Sequence, residues 1–433
     1  MTQKPITKIQ GEYIPPGDKS ISHRAAMLGA LADGTSEFSH FLESEDCFRT
    51  IDAFRVMGAT YKFKTSETQT GSRTTKLIVT GVGLNGLRAP ESALYLGNSG
   101  TTMRLMLGIL AGQSFETRLT GDPSLSARPM KRVTEPLRKM GAEISGKDDA
   151  NFAPLAIRGG ELSGIQWTNQ FASAQVKSAL LLAGLYAQGS TRVTEPLPTR
   201  DHTERLLRLL GVPVEASKSG VAVRRVSTLH PIHMRIPGDF SSAAFFIAAA
   251  LIVPHSDLRV LDVGLNPSRM GFYHVLKQMG ADIKIERQDH GEEPIGDLRV
   301  KTSSLKGIDL DPRMVPLLID ELPILMVLCA LAQGTTRIRG ARELRVKETD
   351  RLRSMTEGLK TIGARIEECD DGCTIEGVRE FASGSVSSYQ DHRTAMSFLI
   401  AGLRAKGNVV VRDADCVKIS YPDFEGDLKR ICS

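Results

Sequence analysis

The chain has 433 residues, 55 Lys and Arg against 50 Asp and Glu, a formal net charge of +5 and 41% hydrophobic residues. That length exceeds one ordinary core and predicts two domains of a globular protein. With one Trp, 5% aromatic residues and cations scattered through the chain, base stacking and nucleic-acid binding are disfavoured against an anionic small molecule. The six cysteines show no metal-ligand spacing, and reduced structural thiols in a cytoplasmic protein are expected. Met1-Thr2-Gln3-Lys4-Pro5 has no apolar signal core, and the longest apolar run, Ala243 to Pro254, is too short to cross a bilayer.

One pattern then occurs six times, with a period of roughly 70 residues. A polar signature opens an apolar helix-like run, which closes at a small residue, and a second helix and a strand follow. The first run opens at Gly17-Asp18-Lys19-Ser20, continues Ile21-Ser22-His23-Arg24 and closes near Gly34. Lys19 and Arg24 supply charge at a helix start, while Ser20 and free backbone N–H groups donate hydrogen bonds, which makes a compact anion site. A capped helix with solvated basic residues is the plainer alternative. The Gly-x-x-x-x-Gly-Lys spacing of a nucleotide P-loop is missing. The second helix ends at Met57-Gly58-Ala59, Lys64 to Thr75 reads as an exposed hairpin loop, and Leu77 to Thr80 as a strand.

The second run opens at Gly97-Asn98-Ser99-Gly100-Thr101 and closes near Gly112. Two glycines let a ligand approach the backbone, and Arg104 lies on the first turns. Arg128, just before a proline that can open a helix, could clamp a carboxylate or phosphate bidentately. The tag Met140-Gly141-Ala142 and the strand Glu143-Ile144-Ser145 follow. The third run opens at Phe171-Ala172-Ser173-Ala174-Gln175-Val176-Lys177 and closes near Gly189. Its hydroxyl and amide groups suit a polyhydroxylated ligand, or plain N-capping. In Arg200-Asp201-His202-Thr203-Glu204, Asp201 reads as a structural cap and Arg200 could reach a ligand. Leu210-Gly211-Val212 and the strand Pro213-Val214-Glu215 end the unit.

The fourth run opens at Pro237-Gly238-Asp239-Phe240-Ser241, an echo of Pro16-Gly17-Asp18, closes near His255 and shows the least obvious chemistry. Arg259 to Asp262 reads as a strand, then Met279-Gly280-Ala281 and Asp282 to Ile285. The fifth opens at Ile319-Asp320-Glu321-Leu322 and closes near Gly334. A carboxylate there is a cap or a general base. Arg345-Val346-Lys347-Glu348-Thr349-Asp350-Arg351 packs five charges into seven residues. On a helix, Lys347 and Arg351 share one face. Ile362-Gly363-Ala364 and the strand Arg365-Ile366-Glu367 follow. The sixth opens at Gln390-Asp391-His392-Arg393 and closes near Gly407. Val409 to Arg412 reads as a strand, Phe424 to Ile431 as a second helix cut off by the C-terminus, and Ser383 to Ser388 as an exposed loop.

In each unit the first helix, as in Ile324 to Leu331, is apolar all round and is expected to be buried on all sides. The second, as in Thr203 to Leu210, is amphipathic and expected outside. Buried helices with sheets outside invert the usual α/β layering. Three units could surround a pseudo-threefold axis. The prediction is a two-domain inverted α/β barrel of six units, three per domain around buried parallel helices. Residues 19–236 form the continuous domain. Residues 1–18 with 237–433, including a strand Thr7 to Ile14, form the discontinuous one, with the active site expected in the cleft that closes on ligand.

Taken together, Gly17-Asp18-Lys19-Ser20, Asn98-Ser99-Gly100-Thr101, Ser173-Ala174-Gln175, Arg345-Val346-Lys347-Glu348 and Asp391-His392-Arg393, in this order and nearly end to end, resemble the 5-enolpyruvylshikimate-3-phosphate synthases. The resemblance implies transfer of the enolpyruvyl group of phosphoenolpyruvate to the 5-hydroxyl of shikimate 3-phosphate, with release of phosphate. It implies no cofactor, no metal, no nucleic-acid or membrane partner, and a cytoplasmic monomer in the route to chorismate and aromatic amino acids. By the same resemblance, Lys19, Ser20, Arg24, Ser173, Ala174, Gln175, Arg200, Asp320 and Lys347 would hold shikimate 3-phosphate. Lys19, Asn98, Gly100, Arg128, Gln175, Arg351 and Arg393 would hold phosphoenolpyruvate. Asp320 and Glu348 would exchange protons, with Lys19 assisting. Lys418 stands one residue out of the family's register, and Ser-Ala-Gln replaces the Ser-Ser-Gln of many members. Gly100 leaves the room that an alanine would fill in some glyphosate-tolerant members, so sensitivity is expected at this position. The alternatives are a UDP-N-acetylglucosamine enolpyruvyl transferase, whose usual cysteine is missing between Gly121 and Pro129, and a repeat-built binding protein.

Overall fold

The computed structural model describes residues 1–67, 73–170, 172–217 and 220–432. Two compact units divide the chain, Gly17–Ile236 and Met1–Pro16 with Pro237–Ser433. The break after Pro16 lies two residues before the expected one at 18, because Gly17 and Asp18 are built into the continuous unit. The Asp18 side chain accepts from the Ile21 backbone N–H. A Cβ on Gly17 would stand 1.9 Å from the His40 carbonyl oxygen.

In Gly17–Ile236 the helices are α1 (Lys19–Leu31), α2 (Glu45–Val56), α3 (Gly100–Leu110), α4 (Lys131–Met140), α5 (Ala174–Gly184) and α6 (His202–Leu209). Helices α1, α3 and α5 are buried along nearly their whole length. Gly108 sets their approach: a Cβ there would meet the Ala179 carbonyl oxygen at 2.1 Å. The other three helices bury one face, as amphipathic sequences do. Each pair of helices carries a four-stranded sheet. Thr35–Ser39 pairs parallel with His233–Arg235 and antiparallel with Arg73–Thr80, which pairs antiparallel with Thr60–Glu67. The same order recurs in Leu94–Tyr95, Glu116–Thr120, Phe152–Arg158 and Glu143–Gly146, and in Gln166–Thr168, Ser190–Thr194, Gly220–Arg224 and Glu215–Ser217. Of the exposed loop expected at Lys64 to Thr75, residues 64–67 and 73–75 are instead paired strand residues, and 68–72 lie outside the described ones. The expected strand at Pro213 starts two residues later, at Glu215, since proline has no N–H for a ladder.

The other unit contains α7 (Phe240–Ile252), α8 (Gly271–Gln278), α9 (Leu322–Leu331), α10 (Arg351–Thr361), α11 (His392–Gly402) and α12 (Phe424–Ile431). Every residue of α7 and α11 is buried. Gln10–Tyr13, shorter than the expected Thr7 to Ile14, pairs parallel with Asp257–Gly264. Thr2–Gln3 pairs antiparallel with Val409–Arg412. Ser383 to Ser388 is no exposed loop. Gly384–Ser387 pairs parallel with Val409–Arg412, and Val386 is buried.

The five glycine tags share one cause. Gly58, Gly141, Gly211, Gly280 and Gly363 have φ between +86° and +114°, the left-handed turn that ends a helix without a Cβ clash. His255, where other runs close on glycine, also has positive φ, +55°.

Candidate active site

In the continuous unit the polar openings of α1, α3 and α5 carry their side chains on helix N-termini, where unsatisfied N–H groups favour anions. Lys19 ion-pairs with Asp46 at 3.2 Å. Arg24, 5% exposed, donates to the Ser20 carbonyl (2.9 Å), Thr203 Oγ1 (2.7 Å) and Ser178 Oγ (2.7 Å). Arg24 is therefore buried and braced by α5 and α6, which rules out the plainer alternative of a solvated basic residue. Burial, with Lys19 and Arg24 nearby, holds the His23 pKa well below its usual value. Neutral His23 hydrogen-bonds Thr50, and the chain continues through Thr102 to Ser99, each link 2.7 Å long. Ser99 in turn caps α3 by accepting from Thr102 N–H.

At the start of α3 the structure gathers four predicted phosphoenolpyruvate residues. Asn98 accepts a short hydrogen bond from Arg128 and donates to Asp122 at 2.7 Å. Gln175 donates to Thr101 Oγ1 at 3.0 Å and accepts from Arg104 Nη1 at 2.7 Å. Gly100 lies between the two arginines, where a Cβ would stand 3.2 Å from Arg128 Nη1 and 3.3 Å from Arg104 Nη1. Arg104 was given no ligand role from sequence, although its place four residues after Gly100 puts it on the same helix face. Pro129 does not open α4, which begins at Lys131; Pro123 instead opens the short helix Pro123–Ser126 that Asp122 caps.

Ser173 and Ala174 stand at the start of α5, and Arg200 lies two residues before α6. Ser173 occupies the N-cap position of α5, yet its side chain makes no capping hydrogen bond, so capping does not account for its hydroxyl. Asp201 also makes no side-chain cap; it pairs with Arg205 at 2.8 Å.

The other unit builds a charged group around Arg351, which is only 1% exposed. Its guanidinium reaches Asp391 (2.8 Å), Glu348 (2.6 Å) and Asp320 (3.4 Å). Asp320 also faces Lys347 at 3.8 Å and Arg393 at 3.9 Å, and its carbonyl accepts from Arg393. Asp320, Lys347, Glu348, Arg351 and Arg393 thus converge. Lys347 and Arg351 are not on one helix face. Arg342–Val346 is a 3-10 turn, Lys347 is extended, and Asp350 caps α10 at Arg351. Burial lowers the Lys347 pKa against the opposing pull of Asp320. Burial likewise works against the charge on Arg351, but Asp391, Glu348 and Asp320 outweigh it and raise its pKa.

Glu321 is separated from Asp320 in role. It is 1% exposed, accepts a short hydrogen bond from Ser241 and lies 3.8 Å from Arg269. Arg269 also bonds Ser241 Oγ (2.7 Å) and Asp239 (3.2 Å). The fourth opening, without evident chemistry in sequence, is a buried ionic clasp. Lys418 is exposed and pairs with Asp415 at 3.3 Å. All six cysteines are free, and burial pushes the Cys47 thiol up to about 12. Among the described residues no His, Cys, Asp and Glu group could hold a metal, and no helix is long and apolar enough to cross a membrane.

The family model for EPSP synthase (3-phosphoshikimate 1-carboxyvinyltransferase) matches residues 3–428. The chain belongs to the EPSP synthase family. Within that family, a 3-phosphoshikimate 1-carboxyvinyltransferase of Desulforamulus reducens is 47% identical over 428 residues, covering 99% of this chain and 98% of the relative. One from Geobacillus thermodenitrificans is 49% identical, covering 98% and 97%. The structure of EPSP synthase from Acinetobacter baumannii superposes with a TM-score of 0.86 at 44% identity, covering 100% of this chain and 98% of that one. The enolpyruvyl transferase NikO from Streptomyces tendae shares the fold, with a TM-score of 0.77 at 18% identity over 99% and 96% of the two chains. These matches support the EPSP synthase reading and not the UDP-N-acetylglucosamine alternative.

Proposed function

We propose that this chain transfers the enolpyruvyl group of phosphoenolpyruvate to the 5-hydroxyl of shikimate 3-phosphate. The observation that carries this is full-length similarity to 3-phosphoshikimate 1-carboxyvinyltransferases, joined to two clusters of the required chemistry. Asp320 takes the hydroxyl proton as the oxygen bonds to C2 of phosphoenolpyruvate, and Glu348 delivers a proton to C3. Glu348 then takes a C3 proton back from the tetrahedral adduct as the C2–O bond to phosphate breaks, and the leaving phosphate takes the proton held on Asp320. Lys19 assists these transfers. Arg104, Arg128, Gln175 and Gly100, with Asn98 holding Arg128, receive the phosphoenolpyruvate anion. By the family resemblance Arg351 and Arg393 also bind this anion, and the preorganised guanidiniums stabilise charge that builds up in the adduct.

Lys19, Ser20, Arg24, Ser173, Ala174, Gln175, Arg200, Asp320 and Lys347 hold shikimate 3-phosphate in this reading. The reaction needs no cofactor. The same reading makes the protein a cytoplasmic monomer and its fold an inverted α/β barrel of six copied units. Phosphate release from phosphoenolpyruvate by the purified protein should depend on added shikimate 3-phosphate. Release without it, or none with it, rejects the proposal.

A further inference from the structure

A buried charge cluster joins α5 to the segment that precedes Arg200. Lys177, one turn into α5, is 4% exposed and pairs with Glu195 and Glu204, each at 2.8 Å. Burial disfavours its charge, but Glu204 and Glu195 outweigh that and raise its pKa. Its ammonium also donates to the Thr199 carbonyl at 3.3 Å.

Glu195 distributes this anchor. It accepts from Asn169 Nδ2 (2.9 Å), Thr199 N–H (3.3 Å) and Thr199 Oγ1 (2.7 Å). The same Asn169 nitrogen donates to the Ser173 carbonyl at 2.9 Å. The cluster therefore ties Ser173, at the start of α5, to Thr199, next to Arg200. Its chain neighbours extend the brace, since Ser178 and Thr203 bond the Arg24 guanidinium and each other. A buried lysine is costly, and an apolar side chain would fill the space more cheaply. What the charge adds is a fixed geometry for the segment from Glu195 to Arg200.

We propose that Lys177 is a positioning residue which, through Glu195 and Asn169, sets the spacing of Ser173 and Arg200 for the phosphate of the acceptor substrate. This rests on the acceptor being shikimate 3-phosphate. Lys177 touches no substrate; it fixes the groups that do.

The test is steady-state kinetics of Lys177→Met, Lys177→Arg and Asn169→Ala in the full chain, with both substrates varied. Since misplacing a binding group by about 1 Å can cost ~100-fold, Lys177→Met should raise KM for shikimate 3-phosphate about 10- to 100-fold. KM for phosphoenolpyruvate and kcat should stay within about threefold. Lys177→Arg should recover part of the loss. Asn169→Ala, which cuts the link to Ser173 and keeps the ion pairs, should move the same constant and so reads the idea even where Lys177→Met does not fold. Unchanged kinetics, or both KM values rising together with a fall in kcat, would overturn the positioning role. Wild-type protein inactive with shikimate 3-phosphate would overturn the function itself, a result seen before any variant is made.

Discussion

Gly100→Ala gives a sharp reading of the arginine pair. The Gly100 backbone is already helical, so alanine meets no strain there. Its methyl carbon, however, would stand 3.2 Å from Arg128 Nη1 and 3.3 Å from Arg104 Nη1, with Leu125 Cδ1 at 3.7 Å. Ordinary contact lies near ~3.5–4.0 Å, so each guanidinium must retreat by a few tenths of an ångström. Neither is loose: Arg104 is bonded to Gln175 at 2.7 Å and Arg128 to Asn98. A charge-assisted hydrogen bond contributes about 1.5–3 kcal/mol, and losing about half of one costs about 0.75–1.5 kcal/mol. That corresponds to a roughly 3- to 13-fold higher KM for phosphoenolpyruvate. Any inhibitor that fills the space above Gly100 should be weakened as well, glyphosate being the natural probe. Initial rates with each substrate varied, and a thermal melt, measure the effect. The acceptor KM and the melting temperature should hardly move. An unchanged phosphoenolpyruvate KM, or a rise confined to shikimate 3-phosphate, would refute the placement of Gly100 between donor-binding arginines.

Glu348→Gln keeps a partner for Arg351 but removes the proton; turnover should fall by orders of magnitude while calorimetric binding of shikimate 3-phosphate survives. Equal kcat would exclude Glu348 from proton transfer. Arg351→Met strands buried Asp391 and should lower unfolding stability by about 3–5 kcal/mol, read by urea denaturation. A loss under about 1 kcal/mol would mean the ion pairs are dispensable. For Lys347, burial lowers the pKa below the usual 10.5. Its cost to stability is full below that depressed value and vanishes as pH rises through the unfolded one. An anion bound beside it should restore the pKa, so shikimate 3-phosphate binding takes up a proton in this alkaline window and weakens as pH climbs through it. Calorimetry in two buffers of different ionisation heat checks this, and identical heats would contradict it.

Much of this was legible in the chain because repetition makes periodicity audible: six apolar runs and five glycine tags each report one helix and one left-handed turn. Asn98, Gly100 and Gln175 could be read because they open those runs, and Arg128 because it precedes a proline. What escaped depends on contacts between runs. Arg24 shows its charge in sequence, but not its burial against Ser178 and Thr203. Asp320 and Glu321 are adjacent and chemically alike, yet Ser241 and Arg269, far away in sequence, claim only the second. The Lys347-to-Arg351 segment has helical spacing, but Asp350 caps a helix that starts after it. Gly384–Ser387 looks like a polar loop because its ladder partner, Val409–Arg412, lies beyond the intervening helix.

The pairing of Gln10–Tyr13 with Asp257–Gly264, and of Thr2–Gln3 with Val409–Arg412, also governs the order in which the chain is made. These strands are made roughly 240 and 400 residues before their partners, tens of seconds earlier at ~10 residues per second. Meanwhile Gly17–Ile236 has all its strands and can close by itself. The N-terminal segment must stay unpaired through that interval. Released chains ending at Ile236 should therefore carry a protease-resistant Gly17–Ile236 unit and a cleavable segment before it.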